Sequence, residues 1–180
     1  MDFSRDAVSV LFNFHFARRI MKSSVVALSP KARLAADPAL FDRMMNYNHS
    51  ALIERMVVKI GWTPERANEA FEEMKKFLYL CATNEGAMAP PEDIDEIWHN
   101  FILFTKDYHD FCMKSVGAFL HHQPLTVAER ASSDGSMIQN TLNAAKYAFG
   151  DNLSAAYWEF SKVPGSCGVG VCGASTNCQS

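Results

Sequence analysis

Asp93 to Pro124 reads DIDEIWHNFILFTKDYHDFCMKSVGAFLHHQP, and this run holds Trp98, His99, Tyr108, His109, Cys112, His121 and His122. Four of the chain's 6 histidines fall in it. Glu92, Asp93 and Asp95 enrich the first turn of a helix running to about Phe104, with Ile94, Ile97, Trp98, Phe101 and Ile102 on its inner face. Thr105 reads as the cap of a following helix, from Lys106 to about Ser115 or Gly117. On one unbroken helix His99 and Cys112 would lie roughly 220° apart around the axis and could not share a site. The sequence therefore requires a bend near Thr105 if the two are to meet.

Working outward, apolar residues recur at helical spacing on both sides. A first helix is expected from about Ser4 to Ala27, carrying Val8, Leu11, Phe12, Phe16 and Ile20, with His15 beside the apolar stripe as a core or boundary residue. Ser29-Pro30 ends it, and an Ala-rich turn leads to Asp37-Pro38, which caps a second helix. That helix keeps one wide stripe from Leu40 to Ile60, stops at Gly61, and places His49 at the surface or boundary. Thr63-Pro64-Glu65 repeats the start signal for a third helix. Its inner face is Ala67, Ala70, Phe71, Met74, Phe77, Leu78 and Cys81, the last as a small buried hydrophobe; Glu69, Glu72, Glu73, Lys75 and Lys76 form its solvated side. After the central stretch, Leu125 to Arg130 reads as a helical turn or two, Met137 to Phe149 as a helix, and Asn152 to Ser161 as a last short one.

No strand pattern competes, so the fold class is all-α, a single helical domain of about seven helices. The domain spans 1–162, and 163–180 forms a flexible Gly/Cys-rich tail with too little apolar surface to order itself. At 180 residues and 48% apolar composition there is enough chain for one real core. A net charge of -3 with no basic stripe gives no signal for phosphate-dependent nucleic-acid binding. The N-terminus lacks the pattern of a secretory signal and no apolar run is long enough for a membrane span, which places the chain in the cytoplasm, where thiols stay reduced.

The chemistry in the central stretch comes from spacing. Asp95 and His99 are i,i+4, so the carboxylate can bond one imidazole nitrogen and orient the other toward a metal or substrate. Tyr108 and Cys112 are i,i+4, and His109 and Cys112 are i,i+3. His121 and His122 follow Gly117 at a helix end or in a loop, free to converge on the same pocket. The binding candidates are Asp95, Trp98, His99, Tyr108 and Cys112. The metal-ligand candidates are His99, His109, Cys112, His121 and His122, donors that suit zinc or iron. A packing alternative stands beside this one: Trp98, Tyr108 and Cys112 as core, the histidines at helix ends and His109 at the surface. Cys112 as a nucleophile is a third reading, opposed by its apolar neighbours Phe111 and Met113.

Asp95-x-x-Trp98-His99, then Tyr108, then Cys112, resembles the D-x-x-W-H…Y…C core of the plant glycine-rich domain-containing proteins and their smaller bacterial relatives. The resemblance covers about eighteen residues firmly, and it implies a helical fold followed by a Gly- and Cys-rich tail more than it implies a mechanism. The plant pattern carries a second histidine three residues after the tryptophan, where this chain has Phe101; His109, His121 or His122 would have to take its place.

In the tail, Cys167, Cys172 and Cys178 could bind a soft metal with a fourth ligand from elsewhere, form disulfides in an oxidising compartment, or serve a modifying enzyme or protein partner. The expected function is a cytoplasmic helical binding domain whose pocket, centred on His99, holds a transition metal or small ligand. A metal- or thiol-dependent enzyme using the same residues is the alternative, and a structural interaction module or a carrier with a modified tail is a second.

Overall fold

The computed structural model describes residues 29–158 and 170–174. The expected first helix and His15 lie outside the described residues, as do Cys167 and Cys178. Ser29 starts a helix: its hydroxyl accepts from the Ala32 N–H at 3.0 Å and Pro30 fills the first position, so the Ala-rich segment is α1, Pro30–Ala35.

The single helix expected from Leu40 to Ile60 is two, α2 (Leu40–Met45) and α3 (Ser50–Arg55). The break is held by a residue expected on a solvated face. Lys75, fully buried, donates through Nζ to the carbonyls of Met45 at 2.6 Å and Tyr47 at 3.0 Å, and pairs with Glu72 at 2.7 Å. Carbonyls freed at the end of α2 thus find a charged donor in place of water. His49 restarts the helix, its Nδ1 accepting from the Leu52 N–H at 2.9 Å. A π-helical turn, Met56–Ile60, extends α3 to Gly61, whose φ of 80° reverses the chain.

The central helix is α4, Pro64–Thr83, capped by the Thr63 hydroxyl as its sequence predicts. Its inner face is the expected one, and each fully buried Phe, Leu or Met there contributes about 1.5–3 kcal/mol. Glu73 is buried as well, because Trp158 Nε1 donates to it at 2.7 Å and Lys76 at 2.9 Å. Against α4 packs α5 (Glu92–Ile102), through Phe77 on Trp98 and Phe71 on Phe101. The bend follows at 103–104, and α6 (Thr105–Phe111) runs on into a second π-helical turn, Cys112–Val116.

Gly117, at φ 82°, turns the chain back and leads it into a strand where a helix end or loop was expected. Strand β1 is Leu120–Pro124, and it pairs antiparallel with β2, Gly170–Ala174, which lies within the segment read as a tail. The register sets His122 opposite Cys172 and Leu120 opposite Ala174. Between the strands come α7 (Val127–Ala131), α8 (Ser136–Phe149), a 3-10 turn (Gly150–Asn152) and α9 (Ala155–Trp158). The fold class is all-α, as the periodicity implies, with this one ribbon added. No helix among the described residues is long and apolar enough to cross a membrane.

Candidate metal centre

Asp95 sits one turn into α5, on the face turned toward the core, with its side chain 3% exposed. Its two oxygens serve two imidazoles. Oδ1 meets His122 Nε2 at 2.8 Å, and Oδ2 lies 3.6 Å from His99 Nδ1, the contact that the i,i+4 spacing predicts. The His122 side chain is 3% exposed and that of His99 44%, so the group is closed on the strand side and open on the helix side. The rings of His99 and His122 stand 4.3 Å apart, and the same distance separates His122 from Trp98. Asp95, His99 and His122 each offer one ligand atom, all within 4.8 Å of one another. A first-row metal bonded at about 2.1 Å holds its ligand atoms roughly 3–3.5 Å apart, so small side-chain rotations bring this set to coordination distance.

The rest of the motif positions His122. Trp98 Nε1 donates to the Tyr108 hydroxyl oxygen at 3.1 Å, and that hydroxyl donates to the carbonyl of Leu120. The Leu120 carbonyl is thus tied through Tyr108 to α6 and, through Trp98, to α5. Side chains alternate along a strand, so Leu120 and His122 share its inner face. Leu120 is fully buried, and His122 two residues on meets Asp95. Burial pushes the Cys112 thiol up, and burial with the nearby Cys112 pushes the Tyr108 phenol up, so both stay protonated.

The other candidates are elsewhere. Phe119 and His121 occupy the outer face of the chain leading into β1, with ring centroids 4.8 Å apart, and His109 packs on the same Phe119 with its side chain 60% exposed. Neither histidine joins Asp95. Cys112 is fully buried and no part of the three-residue group. Phe101, where the plant pattern has histidine, is fully buried among Tyr47, Phe71, Tyr108 and Phe111. His122 stands beside His99 instead, brought there by the strand. Phe119-Leu120-His121-His122 shows no period-two alternation, so the sequence carries no local signal for this strand. Of the remaining thiols, Cys112 is free, and Cys81 is buried in the core on the apolar face of α4, as expected.

No curated protein and no solved structure matches the chain. A family profile does, over residues 44–148, a span that takes in α3 to α6, the whole D-x-x-W-H…Y…C motif, His122 and most of α8. The family is not that of the glycine-rich domain-containing proteins, and the resemblance drawn from the motif is corrected here: a few residues that fix one strand to two helices describe a local packing device, which is too little to assign a family. With more than half of its length matched, the chain belongs to the UCP032817-like family.

Proposed function

We propose that this protein is a metal-binding domain that holds one divalent transition-metal ion between Asp95, His99 and His122. The observation that carries the reading is a buried carboxylate whose two oxygens each face an imidazole nitrogen, one of them on a side chain as buried as the carboxylate itself. Two imidazoles and one carboxylate suit zinc or ferrous iron, and three protein ligands leave coordination positions for water or a substrate. The half-exposed His99 would give such a ligand access from solvent. An ion held here would link Asp95 Oδ1 and His122 Nε2, which now meet directly at 2.8 Å.

A reaction at Cys112 is disfavoured, because the thiol is fully buried and kept in its protonated form. An enzyme built on this centre would work through metal-bound water or a metal-bound substrate at the open positions. The test uses full-length chain without an affinity tag, dialysed against Zn2+ and, anaerobically, Fe2+, followed by elemental analysis. One equivalent is expected in the wild type, His109→Ala and His121→Ala, and clearly less than one in His122→Ala or Asp95→Asn. Equal metal content in all of these would refute the proposed ligand set.

A further inference from the structure

A groove of about 980 Å3 opens between α1, α2, α4 and α8, and none of Asp95, His99 and His122 lines it. Such a volume falls within the roughly 300–1,000 Å3 of small-molecule sites. One side of the groove is the α4 stripe Lys76, Tyr79, Leu80 and Thr83, whose spacing of three and four residues puts them on one face of the helix. Phe41 from α2 and Phe149 from the end of α8 meet Tyr79 there. Ring centroids lie 5.2 Å apart for Phe41 and Tyr79, 5.6 Å for Phe41 and Phe149, and 6.1 Å for Tyr79 and Phe149. Three rings in mutual contact beside open space offer faces and edges on which a flat ligand packs.

The polar groups set the charge and length of that ligand. Lys76 is the one charged side chain among the lining residues, and it is already neutralised: Nζ lies 2.9 Å from the buried carboxylate of Glu73 and donates to the Asn152 carbonyl at 2.8 Å. An anion would compete with Glu73 for the ammonium, and a cation would meet the ammonium itself, so each would give up water without gaining an unpaired partner. Other hydrogen-bonding groups are unused. The Tyr79 hydroxyl, Asn84 Oδ1 and the Asn152 side-chain amide have no hydrogen-bond partner among the described residues. Asn152 stands beside Lys76, and Asn84 follows eight residues on, about 12 Å along the helix axis. That distance is the length of two or three linked rings.

We infer that this groove binds a neutral, ring-containing small molecule with hydrogen-bonding groups toward its two ends. Phe41, Tyr79 and Phe149 pack on its rings, and Asn84 and Asn152 receive its ends.

The test titrates phenylnaphthylamine, a neutral ring compound whose emission rises in an apolar site, into the full-length chain. Anilinonaphthalene sulfonate, the same rings with a sulfonate added, is the charged comparison. One saturable equivalent of the neutral probe is expected, with the sulfonate bound about tenfold more weakly for want of a partner to its charge. Ala148→Trp adds a ring to the lining from an exposed position, so the fold stands while affinity for the neutral probe falls by about tenfold. Ala51→Trp, at a separate hollow of about 220 Å3 beside Val58 and Phe104, leaves that affinity unchanged. Proton NMR locates the probe without any substitution: nuclear Overhauser contacts are expected between its rings and those of Phe41, Tyr79 and Phe149. No saturable binding of the neutral probe, or equal binding of the sulfonate, overturns the inference. So does affinity that survives Ala148→Trp, that is lost in Ala51→Trp, or that comes without contacts to the three rings.

Discussion

Tyr108 joins the largest number of parts of the site. Its hydroxyl accepts from Trp98 and donates to the Leu120 carbonyl, all within the buried core. Tyr108→Phe keeps the ring and removes both bonds, leaving a buried indole N–H and a buried carbonyl unpaired. A loss of about 1–3 kcal/mol in denaturant unfolding is expected. Metal affinity should fall about tenfold, because His122 is placed through Leu120. Unchanged stability would mean that the strand is held by other contacts. Alkaline pH probes the same residues. Cys112 and Tyr108 have folded-state pKa values raised above their ordinary 9.0 and 10.0, chiefly by burial. The unfolded chain ionises them near those values and the folded chain does not, so their stabilising contribution is complete below about pH 9 and is lost as pH climbs beyond it. Thermal scans should show the melting temperature falling above pH 9, with a smaller fall in Cys112→Ala.

At the scale of elements, helices were legible wherever start and stop signals agreed with the apolar period. Thr63-Pro64 and the face from Ala67 to Cys81 gave α4, and Thr105 marked the bend before α6, although Phe104 holds the cap position and Thr105 is the first helical residue. Two failures share a cause, since each depends on a partner distant in sequence. The break between α2 and α3 exists because Lys75 satisfies its carbonyls, and nothing between 40 and 60 announces a donor 28 or 30 residues away. Strand β1 needs β2, almost fifty residues downstream, to complete its ladder. The Asp95–His99 contact was readable because it is local, whereas Asp95–His122 spans 27 residues. Lys75→Met should accordingly destabilise the fold by about 2 kcal/mol, two part-buried carbonyls losing their donor. A change below about 0.5 kcal/mol in chemical denaturation, the scale of surface substitutions, would show that water replaces the ammonium. Gly117→Ala tests the turn into β1. Nothing lies within 4 Å of the added methyl, so any cost, about 1–2 kcal/mol, is that of the left-handed backbone alone.

At the scale of the whole molecule, the helices form the framework and the ribbon completes the site. Helix α5 supplies Asp95, His99 and Trp98 from one surface, and α6 with its π-helical extension supplies Tyr108 and Cys112. Neither gathers the three side chains until β1 brings His122 to Asp95 Oδ1. X-ray absorption spectroscopy on the zinc-loaded, untagged chain tests that arrangement most directly. The predicted first shell is two imidazole nitrogens and a carboxylate oxygen at about 2.0–2.2 Å with water completing it, and one imidazole fewer in His122→Ala. A sulfur scatterer at about 2.3 Å, or a first shell unchanged by His122→Ala, would contradict the account.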